Sequence, residues 1–210
     1  MNEEERIKEI VERLKRAYPD AKIALNFRNP FELLVATILS AQTTDKKVNE
    51  VTPILFSRYP TPEDLAKADT AEVESIIKPL GFYRQKAKYI IGAAKTIVEK
   101  FNGRVPDTME ELTTLPGVAR KTANIVLSNA FGKIEGIAVD THVRRIAKKL
   151  GLTENTDPEK IEQDLMQKIP KDEWFKFTYT VIEHGRNICK ASRPKCDNCF
   201  LNDICPSSLV

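Results

Sequence analysis

The chain has 210 residues, 41% of them hydrophobic and 30% charged, with a formal net charge of +3. No apolar run approaches the roughly 20 residues that a membrane helix needs, and so small a net charge gives no general argument for an anionic partner. The charged opening MNEEER carries no apolar leader, so the expectation is a soluble cytoplasmic protein with enough length for an ordinary core.

Apolar spacing predicts helix along nearly the whole chain. Ile7, Ile10, Val11 and Leu14 form an amphipathic stripe that Pro19-Asp20 ends. Asn29-Pro30 is a start signal, and Phe31, Leu33, Leu34, Val35, Ile38 and Leu39 are apolar around most of the circumference, as in a helix enclosed by a core. Further helices are predicted over 44–59, 62–68, 70–78, 83–101, 107–113, 120–131, 141–150, 158–169 and 173–185. Pro53 leaves open a kink or a later start in its segment. With no period-two stretch, low-complexity linker or solenoid repeat, the chain reads as all-α.

Charge is distributed unevenly. Arg84, Lys86, Lys88, Lys95, Lys100 and Arg104 make one basic run, and His142, Arg144, Arg145, Lys148 and Lys149 make another. Each run alone reads as a solvated helix face.

Between the helices at 107–113 and 120–131 lies LPGVARKTAN, residues 115–124. Proline stops the first helix, glycine permits a left-handed turn, and the second helix starts almost at once. Such a turn exposes free backbone N–H groups at a helix N-terminus, which bind phosphate without reading sequence. A Pro-Gly pair alone also suits a plain connection between helices; the Arg120-Lys121-Thr122 that follows favours the phosphate reading.

All four cysteines, Cys189, Cys196, Cys199 and Cys205, fall in one turn-rich segment. Thiolates this close can converge on a metal site, whereas disulfide-dense chains are small secreted domains. Spacing leaves the metal open. Structural zinc usually draws two close pairs of ligands, and only Cys196 and Cys199 form one; uneven gaps also suit the larger iron-sulfur cubane.

LPGVARKTAN, with LSAQTTD at 39–45, IAVDTHVRR at 137–145 and HGRNIC running into the cysteine loop, resembles the helix-hairpin-helix DNA glycosylases, in particular the endonuclease III family. The resemblance covers nearly the whole chain in order. It implies a six-helix barrel domain over residues 23–135 and a second helical domain from 1–22 and 136–210, in which the four cysteines hold a 4Fe-4S cluster, with DNA crossing the cleft between the domains. By position, Lys121 resembles the amine nucleophile and Asp140 the essential carboxylate. Gln42 and Phe82 resemble the residues that wedge into DNA when a base is flipped. Gly117, Ala119 and Arg120 would meet phosphate at the hairpin, and Arg144, Lys190, Arg193 and Lys195 would do so elsewhere. The implied partner is double-stranded DNA containing damaged bases or abasic sites, met by a monomer with no membrane attachment, in the nucleoid-bearing cytoplasm of a prokaryote.

Attack requires a neutral Lys121 amine, which burial, the helix dipole and adjacent Arg120 all favour. Asp-Thr-His before an amphipathic stretch is also a good helix cap, a role Asp140 can hold together with a catalytic one. His184 reads as a structural hydrogen-bonding residue. The resemblance departs at Ala119, where the family commonly has a second glycine; if that position needs a positive φ, alanine costs about 1 kcal/mol and weakens the phosphate contact.

The resemblance implies a bifunctional glycosylase and AP lyase excising oxidised pyrimidines, with a mismatch or alkylpurine glycosylase of the same fold as the nearest rival. Lys121 argues against the monofunctional mismatch enzymes. A reading from another class is a non-catalytic DNA-binding module with structural zinc.

Overall fold

The computed structural model describes residues 1–210. Eleven α-helices carry the chain: α1 (Glu3–Ala17), α2 (Pro30–Leu39), α3 (Asp45–Arg58), α4 (Pro62–Ala66), α5 (Thr70–Ile77), α6 (Tyr83–Lys100), α7 (Met109–Leu112), α8 (Arg120–Ala130), α9 (Thr141–Lys149), α10 (Pro158–Lys168) and α11 (Trp174–Asn187). Short 3-10 turns at Lys78–Leu80, Lys171–Glu173 and Cys196–Asn198 complete the regular structure, and there is no strand.

Local chemistry explains where most helices begin. Asn2, Asn29, Thr44, Thr61, Asp69, Thr108, Asp140 and Asp157 each accept a first-turn backbone N–H on the side chain, which satisfies an otherwise unpaired donor. The three remaining starts, α6, α8 and α11, have no side-chain cap. Pro53 neither ends α3 nor delays it: the helix runs on to Arg58. The proline forfeits the N–H that would bond to the Asn49 carbonyl, while Val48, Val51, Thr52, Leu55 and Phe56 stay buried along the helix; packing outweighs the lost bond.

The chain divides into two compact units, residues 24–135 and residues 1–23 with 136–210. In the first, α2 is the central rod, with Leu33, Leu34, Val35, Ala36 and Leu39 at most 1% exposed, and it packs against α3, α6 and α8. α4 and α5 lie on α6, and α7 lies on α8. The basic run at 84–104 is not one solvated face: Lys86 is 3% exposed and donates from Nζ to the Leu80 carbonyl at 3.1 Å.

In the second unit, α11 packs against both α1 and α9. Trp174 donates its indole N–H to the Ile169 carbonyl (2.8 Å), and Thr178 donates its hydroxyl to the Ala138 carbonyl (3.0 Å). Both bonds satisfy backbone acceptors where water is excluded. The second basic run divides as well. Arg144 and Lys148 are exposed, whereas Arg145 turns inward and donates to the Cys189 carbonyl at 2.8 Å.

Candidate active site and iron-sulfur centre

The loop of residues 113–119 joins α7 to α8. Gly117 has φ +76°, and a Cβ there would fall 2.8 Å from Cβ and Cγ of Tyr89 on α6. Only glycine permits this close, left-handed passage. Pro116 rests on Gly92 of the same helix, so α6 sets the pose of the hairpin. The conformational penalty foreseen at Ala119 does not arise: that residue has φ −100° and ψ −177°, extended backbone open to any side chain.

Ala119 directly precedes α8 and supplies no side-chain cap, and no acidic residue stands in the first turn. α6 begins the same way, after Phe82. Every other helix has a side-chain cap or, at α11, Glu173 in that position. The positive dipole end of α6 and of α8 thus faces no capping side chain or first-turn acid, a setting that suits an anion. Lys121, in the first turn of α8, is half-buried, as is Arg120.

Gln42 and Phe82 share an unusual backbone. Their φ values are +54° and +47°, a left-handed conformation that costs a side-chain-bearing residue roughly 1–2 kcal/mol. Both are solvent-facing, and Phe82 is 67% exposed. Asn102 and Arg193 share the conformation; Phe82 is set apart by joining it to a large exposed apolar side chain. The Lys86 bond to Leu80 fixes the backbone that leads into Gly81-Phe82.

In the other unit, Asp140 takes the N-cap of α9 and accepts the Val143 N–H at 2.8 Å through Oδ1. The carboxylate is half-buried and its second oxygen makes no hydrogen bond.

The cysteine segment begins where α11 ends. The His184 carbonyl accepts the N–H groups of Ile188 (2.9 Å) and Cys189 (2.8 Å), and the Ile188 carbonyl accepts those of Lys190 (3.0 Å) and Lys195 (2.9 Å). That pair of bonds pinches the loop shut and leaves Lys190, Arg193 and Lys195 on its exposed rim. Two arginines one heptad apart on α1 brace the far side: Arg6 donates to the carbonyls of Leu150 (2.7 Å) and Ile204 (3.2 Å), and Arg13 to that of Phe200 (2.9 Å) and to Asp203 (2.6 Å).

All four thiols are free, half-buried and part of the lining of one cavity, together with His184. Four thiols around one cavity match the donor set of an iron-sulfur cubane. Burial pushes the thiols of Cys189 and Cys199 up, offset at Cys189 by Lys149 and Arg145, so thiolates here call for a cationic metal core. Burial also pushes His184 down to about 4. The donor set and its cavity fit an iron-sulfur cluster.

Sequence reasoning did not find Arg6, Arg13 or Tyr18. The i, i+7 spacing of the two arginines was the only available signal; Tyr18, whose hydroxyl lies 3.0 Å from Nδ1 of His184, gave none.

Residues 35–171 match the HhH-GPD superfamily of base excision DNA repair proteins, and residues 189–205 match the iron-sulfur binding domain of endonuclease III. The chain is 53% identical to the endonuclease III of Synechocystis sp., covering 99% of this chain and 94% of that protein. It is 43% identical to that of Thermotoga maritima, covering 96% and 91%. Among solved structures, a non-covalent endonuclease III–DNA complex superposes with a TM-score of 0.94 at 43% identity, covering 99% of this chain and 97% of that one. A trapped covalent endonuclease III–DNA intermediate gives the same TM-score and identity. A thermostable thymine-DNA glycosylase, at 23% identity and a TM-score of 0.86, shares the fold.

Proposed function

Because the chain belongs to the endonuclease III family of helix-hairpin-helix repair proteins, we propose that it excises oxidised pyrimidines from duplex DNA as a glycosylase and nicks the strand as an AP lyase. The observation that carries the assignment is Lys121, half-buried in the first turn of the uncapped α8, behind a hairpin seated by Gly117 against Tyr89.

A damaged base must leave the stack before a side chain can reach its glycosidic bond, and a damaged base does so at lower cost. Gln42 and Phe82 fill the space it vacates. The Lys121 amine attacks the anomeric carbon; the C–N glycosidic bond breaks and the base departs with the electron pair and a proton. Asp140 stabilises the cationic sugar of the transition state, takes the proton lost by the amine and passes it to the departing base. The ring then opens to a Schiff base, which acidifies the adjacent C–H. Loss of that proton expels the 3′ phosphate, and water releases the enzyme.

Backbone N–H groups around Gly117 and Ala119, with Arg120, hold phosphate at the hairpin, while Arg144, Lys190, Arg193 and Lys195 supply further cations. Cys189, Cys196, Cys199 and Cys205 hold a 4Fe-4S cluster that shapes the basic loop and contributes no bond-making step. The enzyme works as a monomer on the DNA of a prokaryotic cytoplasm.

Borohydride should trap a covalent protein–DNA adduct on a thymine-glycol duplex. Lys121→Gln should abolish the adduct while keeping duplex binding; an undiminished adduct would falsify the nucleophile assignment.

A further inference from the structure

Tyr18 closes α1 and brings its hydroxyl within 3.0 Å of Nδ1 of His184. Across the same ring, Nε2 lies 3.5 Å from Sγ of Cys199. The histidine is 2% exposed. Phe200 packs against the imidazole at a centroid distance of 4.9 Å and meets the Tyr18 ring edge-on at 5.9 Å, so three aromatic rings fix one another. The backbone of His184 is engaged as well, its carbonyl accepting the N–H of Cys189. One residue therefore touches two of the four cysteines, by main chain and by side chain.

The proton arrangement follows from the ligand. A cysteine bound to iron is a thiolate and carries no hydrogen, so the hydrogen in the Cys199 contact belongs to Nε2. In a neutral imidazole this leaves Nδ1 as an acceptor, and the Tyr18 hydroxyl is placed to donate to it. Cys199 then receives two donors, the imidazole and the Leu201 N–H at 3.4 Å.

We propose that Tyr18 and His184 form a hydrogen-bond relay that tunes the iron-sulfur centre. The tyrosine hydroxyl fixes the imidazole as its Nε2–H tautomer, and that N–H donates to the Cys199 thiolate. His184 is a positioning residue with no part in base excision. Removing one electron from the cluster makes its thiolates less negative and the N–H···S bond weaker, so the relay favours the reduced form and raises the potential. The inference rests on the cluster reading above.

The test uses the full-length protein with its cluster in place. In 15N NMR of histidine-labelled protein, the His184 signals should show a protonated Nε2 and a bare Nδ1; the opposite tautomer overturns the relay. In voltammetry, His184→Leu should shift the one-electron equilibrium about tenfold toward the oxidised form, about 59 mV. His184→Gln, which keeps an amide N–H near the sulfur, should recover most of the shift. Tyr18→Phe should move the potential in the same direction by a smaller factor and give a mixture of tautomers. Should His184→Leu fail to retain iron, Tyr18→Phe decides: an unchanged potential with an unchanged tautomer overturns the proposal. Iron-free, colourless protein would instead overturn the cluster reading itself.

Discussion

Gly117 and Tyr89 are in a contact that admits no side chain between them: a Cβ on the glycine would stand 2.8 Å from the tyrosine's Cβ and Cγ. Because Gly117 also has φ +76°, Gly117→Ala meets backbone strain and a collision together. It should lose at least 1–2 kcal/mol, roughly the left-handed penalty alone, and the hairpin should shift off α6. Ala119→Gly, two residues on at an extended φ, should change stability by less than about 0.5 kcal/mol, since the modest gain from glycine at an N-cap offsets its entropy cost. Denaturant titrations of both variants check this, and equal losses would contradict the division of roles.

Asp140 combines a cap with a proposed chemical role, and two substitutions separate them. Asparagine caps as well as aspartate, so Asp140→Asn should keep stability and duplex binding while losing most base excision. Asp140→Ala should lose excision and, in addition, about 1 kcal/mol of stability. Turnover of Asp140→Asn equal to the parent would reduce the carboxylate to a cap.

Phe82 carries strain on the surface. Phe82→Gly should relieve the left-handed penalty and leave stability unchanged or raised by up to about 1 kcal/mol, yet single-turnover excision should fall tenfold or more for want of a wedge. Phe82→Leu should retain most activity. A glycine variant that excises at the parental rate removes the wedge from the mechanism.

Lys86 makes stability depend on alkaline pH. Burial lowers its folded-state value below the ordinary 10.5, so between the two values the unfolded chain binds more proton than the folded one, and stability rises with pH across that window. Lys86→Met removes the titrating group. The parent's stability minus the variant's should therefore climb as pH approaches 10.5 and level off above it; a flat difference would show that the amine keeps its ordinary affinity for protons.

Most helices were legible in the sequence because apolar spacing and capping residues act locally. Asn29-Pro30 and the apolar circumference of α2 sufficed to place that helix in a core. Lys86 misled because a cationic run reads as surface until tertiary packing buries one member under Leu80. Pro53 stayed ambiguous because its helical cost is local, whereas the packing that overrides it comes from distant residues. At the candidate site, the hairpin and the cysteines were visible as motifs. The left-handed backbones of Gln42 and Phe82 were not, since neither residue type favours that conformation by itself. The His184 ring joins partners 166 and 15 positions away, separations at which no local pattern survives.

The unit that holds the cysteines is interrupted by the other, its first 23 residues preceding a complete 24–135. On a ribosome, α1 emerges long before anything it will pack against. At roughly 5–20 residues per second, Tyr18 waits about half a minute or less for His184 to be synthesised, while the intervening segment has every residue it needs to fold. The two ends of the chain are consequently the last parts to meet, because α1 finds its packing partner only when α11 has been made.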